Sequence, residues 1–402
     1  MVRLERRYGA KQSLLRAASA VLLLGSFFLL LAQWIFPLPL LLLGRILVGI
    51  YTGLTSALVP LFVQQVAPKT IRVRSCICMM TRAGTRLQGT LSCFMHISVC
   101  CGSALAAILS LDFMLGSPSA WGIMLALPGI CAIALLLVDS SVPSTPAYFL
   151  EQRKRDEAEM AIRFYYGAAD EDDDDPIEFY QSAVEPTRTE ISMTEAWSDP
   201  KIRRGILLGS CVSAAQVFSG SMATISYSTS MFEAVSIVLT LPALRLVESS
   251  GRRALLLRTL WLCVLANLMF LFFSLLASDG GWASWAFGGA FFLYGVGYNL
   301  GIGPLAYFLP AELVSSAAAG VAMGFAVAVN WISTLITTFL FYPLQQGVGG
   351  LAYLLFVLPT TVMGLILYRW LPETSPEKHA KDQRSALLLE NGHLQQGYGA
   401  TV

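Results

Sequence analysis

Charge is scarce in this sequence. Of 402 residues, 27 are Lys or Arg and 26 are Asp or Glu, so 13% are charged while 55% are hydrophobic. A soluble chain of this length needs more charge than that to cover its surface. The net charge of +1 leaves no basic field to attract nucleic acid. Histidine occurs only at His96, His379 and His393, which argues against a His-ligated metal site. The eight cysteines, at 76, 78, 93, 100, 101, 131, 211 and 263, contain no C-x-x-C pair and lie in or beside apolar segments. They read as small hydrophobes within helices, and neither zinc nor a secreted disulfide framework suits them. There is no N-x-S/T sequon and no G-x-x-x-x-G-K-S/T loop, so neither N-glycosylation nor an ATP motor is expected. No Ser/His/Asp, Cys/His or paired-carboxylate arrangement suggests catalysis, so neither an enzyme nor a cofactor is expected.

What the sequence does have is long apolar runs, and its mean hydropathy is +0.62. A helix rising 1.5 Å per residue needs about 20 apolar residues to cross roughly 30 Å of hydrocarbon. Such runs occur at 17–36, 40–66, 86–110, 120–138, 205–231, 234–247, 255–277, 283–310, 318–342 and 350–371. The expected class is therefore an all-α polytopic membrane protein of about ten spans. The run at 234–247 is short and carries Pro242 and Arg245. Basic residues cluster before the first span, at 69–86, across 151–204 and at Arg252, Arg253 and Arg258, whereas the alternate loops are nearly uncharged. By the positive-inside rule both termini face the cytoplasm. The charged start, with Arg3, Glu5, Arg6, Arg7, Lys11 and Arg16, is unlike a cleavable signal.

The chain divides into two halves. Residues 1–142 hold about four spans, 143–204 form a polar linker, 205–374 hold about six spans and 375–402 form a tail. In the linker, Ala158, Ala161, Ile162 and Tyr165 recur at helical spacing opposite charges, as in a surface helix. The acidic run EDDDD at 171–175 then reads as solvated chain. Features recur between the halves: RRYGAK at 6–11 echoes ESSGRR at 248–253, and PSTP at 143–146 echoes PETSP at 372–376. Two parallel repeats joined by a polar segment are the plan of a carrier that rocks about a central site.

The ordered set GR-x-L-VG-x-Y-x-GL at 44–54, STS at 228–230, LVE-x-x-GRR at 246–253, AEL at 311–313, NW at 330–331 and LPET at 371–374 resembles the facilitative glucose transporters. These are sugar porters of the major facilitator superfamily, and the resemblance covers nearly the whole chain. It implies a major facilitator fold and passive uniport of a hexose such as glucose or fructose by alternating access. It also implies a multi-pass protein of the plasma membrane whose partners are the sugar and the bilayer. It further implies a cytoplasmic gate of Arg45, Arg72, Glu248, Arg252, Arg253 and Glu312, in which charges pair across the halves. The corresponding sugar-binding set is Gln216, Asn299, Tyr307, Asn330 and Trp331, whose amides and aromatic rings suit hydroxyls and the C–H face of a sugar.

Departures from the pattern accompany these matches. Ala10 and Lys11 stand where the family has two arginines, and Gln65 where it has a gate glutamate. Ser144 and Ala147 lack the charges of the first-half motif. Val217, Met222 and Met80 replace polar site residues, Asn299 replaces a glutamate and Tyr307 replaces a tryptophan. The resemblance starts at the loop before the family's third helix, and part of the eighth is also short. Two readings follow. One is facilitative hexose transport, favoured over proton coupling because no acidic residue sits mid-membrane apart from Glu312 near a cytoplasmic end. The other is a non-transporting relative with a binding or regulatory role.

Overall fold

The computed structural model describes residues 11–66, 87–166, 177, 180, 191–221, 246, 251–276 and 281–374. Among these, regular structure is entirely helical. α1 covers Ser13–Leu31, beginning with a π-helical turn at Ser13–Ala18, and α2 covers Pro37–Val66. α3 is Leu87–Leu109 and α4 is Trp121–Val138. Two linker helices follow, α5 at Pro146–Glu151 and α6 at Arg155–Tyr166, and then α7 at Met193–Ser198. The second half contains α8 at Pro200–Gln216, α9 at Arg252–Leu276, α10 at Gly281–Gly297, α11 at Ala319–Val348 and α12 at Leu354–Trp370.

Each of the ten apolar runs except 234–247 overlaps one of these helices, although positions 222–231 of the run at 205–231 lie outside the described residues. The short run at 234–247 lies outside the described residues apart from Leu246. Several helix ends differ from the apolar boundaries for local reasons. α8 starts at Pro200 because Asp199 caps it, accepting a hydrogen bond from the Lys201 amide at 2.8 Å. The run at 205–231 is interrupted at Gly220, whose φ of 104° only glycine adopts readily. The run at 283–310 breaks into α10, a π-helical turn at Tyr298–Ile302 and short turns at Gly303–Ala306 and Leu309–Glu312. α11 runs beyond position 342 through Pro343 to Val348.

Lipid offers no hydrophobic reward for helix association, so packing and polar contacts hold the bundle together. In the first half α1 packs against α2 and α4. In the second, α8 packs on α11, and α9 on α10 and α12. The second-half core contains Phe270, Phe287, Tyr294, Phe341, Tyr353 and Phe356, with neighbouring ring centroids such as Phe270–Phe287 at 4.9 Å and Phe341–Phe356 at 5.1 Å. The outer faces carry Leu265, Phe272, Leu275, Phe339 and Trp285, all exposed from the bundle as lipid-facing side chains should be. The linker helix α6 turns Ala158, Ala161 and Ile162 inward, and the Tyr165 hydroxyl donates to the Pro143 carbonyl at 2.7 Å. α7 is closed by a capping box of Ser192 and Glu195, and its Trp197 stacks on Phe325 of α11 at 5.3 Å.

The halves meet where Leu61 of α2 packs with Ala311, Ala319 and Met323. This fixes a common polarity: the ends near Val66, Arg252, Glu312 and Ala319 lie on one side, here termed the charged face. α8 reaches Pro310 so closely that a Cβ on Gly209 would lie 2.8 Å from the proline Cβ and 2.9 Å from its Cα. Gly209→Ala should therefore force the backbones apart, at a cost of about 1–3 kcal/mol, and lower the thermal unfolding temperature in detergent. Gly324→Ala, inside α11 where a Cβ meets nothing within 4 Å, should not lower that temperature.

Candidate functional site

A cavity of about 210 Å³ lies between the halves. Ser56 of α2 and Val99 of α3 contribute from the first half. Gln216, Tyr298, Tyr307, Asn330, Trp331 and Thr334 contribute from the second. Four residues of the expected sugar-binding set, Gln216, Tyr307, Asn330 and Trp331, thus line one space. Its polar groups are ordered by one another. The Gln216 side-chain oxygen accepts from Asn330 Nδ2 at 2.9 Å, and that nitrogen also donates to the Ser213 carbonyl at 3.1 Å. Gln216 Nε2 donates to the Tyr298 hydroxyl at 3.4 Å and to the Gly303 carbonyl at 3.3 Å. Trp331 remains 45% exposed. Amide donors and acceptors beside aromatic rings can hydrogen-bond a polyhydroxy molecule and cover its C–H surface.

Asn299 is placed differently. It is buried behind the cavity wall, where its Nδ2 donates to the Gly295 carbonyl at 2.8 Å and its Oδ1 lies 3.1 Å from His96 Nε2. It does not line the cavity among the described residues, because the π-helical turn at 298–302 presents Tyr298 to that space instead. The sequence pattern alone carries no sign of that turn.

The expected gate residues divide in a similar way. Arg252 and Glu312 form an ion pair, with side chains only 7% and 1% exposed. Arg252 also lies over the Phe308 ring, 5.4 Å from its centroid. Glu373 accepts hydrogen bonds from the backbone amides of Arg252 at 2.9 Å and Arg253 at 3.3 Å, and so caps the start of α9. Arg253 donates to the Tyr368 carbonyl at 2.7 Å, and Thr374 donates to Glu312 at 3.2 Å. Arg45 stands apart: it is exposed on α2 about 12 Å from Pro37, toward the end opposite the charged face. Its position separates it from the Arg252–Glu312 pair. Arg72 and Glu248 lie outside the described residues.

One charged group was not singled out from the sequence. Asp139, just past α4, binds Lys11 Nζ at 3.0 Å and Arg16 Nε at 2.6 Å, and Lys11 also donates to the Asp139 carbonyl at 2.7 Å. Both Lys11 and Asp139 are buried. In the sequence Lys11 belongs to the charged start and departs from an arginine pair, and nothing local ties it to an aspartate so far along the chain. The two charged clusters, Lys11–Arg16–Asp139 and Arg252–Glu312–Glu373, each lie within one half.

The helical membrane fold with a cavity between two halves has close counterparts among solved structures. The major facilitator superfamily proton:xylose symporter XylE, bound to 6-bromo-6-deoxy-D-glucose, superimposes with a TM-score of 0.69 at 19% identity, over 92% of this chain and 82% of that one. The inward-open form of XylE from E. coli gives a TM-score of 0.68 at 18% identity, with the same coverage. These likenesses establish the major facilitator fold. The family model described as "Sugar (and other) transporter" matches residues 1–384, so the chain belongs to that family. Among its relatives, facilitated glucose transporter member 2 of Gallus gallus is 26% identical over 351 residues, spanning 83% of this chain and 63% of that protein. Facilitated glucose transporter member 4 of Mus musculus is 28% identical over 404 residues, spanning 96% of this chain and 75% of that protein. The chain thus spans 63% to 64% of the length of the first two member 2 relatives, from Gallus gallus and Rattus norvegicus. It is a multi-pass integral membrane protein.

Burial alone would raise the Asp139 carboxyl, but the bonds from Arg16 and Lys11 outweigh it and hold the group below its ordinary value. A lowered carboxylate contributes stability that is complete above the unfolded value, about 4, and is lost as pH falls through the folded one. Asp139→Asn leaves Lys11 buried without its counter-charge and should cost about 3–5 kcal/mol at neutral pH. The wild-type advantage in thermal stability should shrink as the pH is lowered below about 4.

Proposed function

We propose that the protein carries a hexose such as glucose or fructose across the membrane passively, by alternating access around the cavity between its halves. The observation that carries this reading is the convergence of Gln216, Tyr307, Asn330 and Trp331 on one inter-half space. Gln216 and Asn330 supply donors and acceptors for ring hydroxyls, Tyr307 supplies a further hydroxyl, and Trp331 supplies an apolar face. No carboxylate lines the cavity among the described residues, which supports uniport over proton coupling. The buried Arg252–Glu312 pair at the charged face, with the partly exposed Arg253 beside it, would steady that side of the bundle. Positive-inside bias supports a cytoplasmic charged face in a plasma-membrane protein. Asn299 would act behind the site, through the cavity wall.

The test is uptake of labelled glucose and fructose by proteoliposomes containing the full chain. Uptake should be saturable, should equilibrate without accumulating, and should be indifferent to an imposed proton gradient. Gln216→Ala and Asn330→Ala should each weaken apparent affinity by about three- to tenfold, the effect of losing one neutral hydrogen bond. Accumulation driven by a proton gradient would refute uniport. Hexose binding without uptake would favour the non-transporting alternative.

A further inference from the structure

His96 is a buried titratable residue to which the proposed site gives no task. It lies on α3, one helical turn from the cavity-lining Val99 and nearer the charged face, and is only 2% exposed. Within its own helix Cys100 Sγ lies 3.7 Å from Nε2, and its remaining partners belong to the other half. Asn299 Oδ1 is 3.1 Å from His96 Nε2, and the rings of Tyr298 and Tyr307 lie 5.7 Å and 6.0 Å from the imidazole. The chemistry sets the direction of the bond. Asn299 Nδ2 is engaged with the Gly295 carbonyl, so Oδ1 is the acceptor and His96 Nε2 carries the proton. The ring enters a notch at Gly303, where a Cβ would lie 2.7 Å from His96 Cε1 and 2.9 Å from Nε2. An absent side chain in the second half thus admits a large one from the first. Leu61, packed against Ala311, Ala319 and Met323, closes the same side of the cavity by apolar contact alone.

We propose that the His96–Asn299 hydrogen bond is the latch that holds the two halves together between the cavity and the charged face. It must break for the cavity to open on that side. His96 is then a positioning residue: it acts on the relation between the halves. A buried polar bond suits this role because its two ends, once separated, must be satisfied by water entering the opened cleft. The bond therefore favours one of two discrete states. The role in transport rests on the carrier reading above, but the effect on the two halves can be measured without any sugar.

The measurement is maleimide labelling of reconstituted full-length chain, read peptide by peptide by mass spectrometry, with Leu61→Cys reporting the charged-face side and Trp331→Cys, in a separate chain, reporting the cavity. His96→Ala and Asn299→Ala should each raise labelling at position 61 by about three- to tenfold. Labelling at position 331 should fall, because a shift toward one open state depletes the other. The double variant should go no further than either single one, as expected for two ends of one bond. Unchanged labelling at position 61 would overturn the latch, and so would multiplicative effects in the double variant. A rise at both reporters together, the mark of general loosening, would also overturn it. If labelling behaves as expected while proteoliposomes take up no hexose, the latch stands and the carrier reading fails.

Discussion

A bilayer offers no water to a stray polar group, and the rest of this structure depends on that constraint. With so little charge in the chain, each polar side chain within the bundle must find a partner among the helices or face a space that a ligand or water can fill. Two groups of described residues meet the condition in different ways. At the charged face, Lys11, Arg16 and Asp139 satisfy one another in the first half, and Arg252, Glu312 and Glu373 do so in the second. Deeper in the bundle, Gln216, Asn330 and Tyr298 share hydrogen bonds around the cavity and keep some capacity directed into it.

These two solutions have different consequences. Buried ion pairs are expensive to separate, so pairs confined to one half make that half rigid. A gate needs contacts that can be exchanged, and the described contacts between halves include such ones: Leu61 against Ala311, Ala319 and Met323, and neutral hydrogen bonds from His96 and Cys100 to Asn299. Among the described residues the halves are internally charged and meet through neutral contacts, an arrangement suited to rocking as two bodies. Asn299 and Lys11 depart from the family pattern, yet each has a coherent partner, so these substitutions read as a re-paired set.

Much of the fold was legible because the helix length needed to cross a bilayer is set by its thickness. The apolar runs therefore mark helices almost by counting, and α2, α3, α9 and α12 lie close to the runs at 40–66, 86–110, 255–277 and 350–371. Where the backbone leaves α-helical geometry, counting failed. The break at Gly220 and the π-helical turn at 298–302 are set by tertiary contacts, including the Asn267 amide donating to the Ser219 carbonyl at 2.6 Å. That turn is also why Asn299, placed at the site by its position in a motif, points to His96. Gln216, Tyr307, Asn330 and Trp331 were found through resemblance to a family, since isolated amides in apolar helices do not reveal what they face. The Lys11–Asp139 contact was invisible because it joins residues far apart in sequence and belongs to no motif.

Passive hexose transport requires a hexose to occupy the space between the halves. The most direct measurement is photo-crosslinking of the membrane-embedded chain with a diazirine-bearing hexose analogue, followed by peptide mapping. Adducts are expected on the segments carrying Gln216, Tyr307 and Asn330–Trp331, removed by excess unlabelled hexose. Adducts confined to outward-facing surfaces such as that of Phe339 and Trp285, or adducts that excess hexose does not displace, would contradict that occupancy.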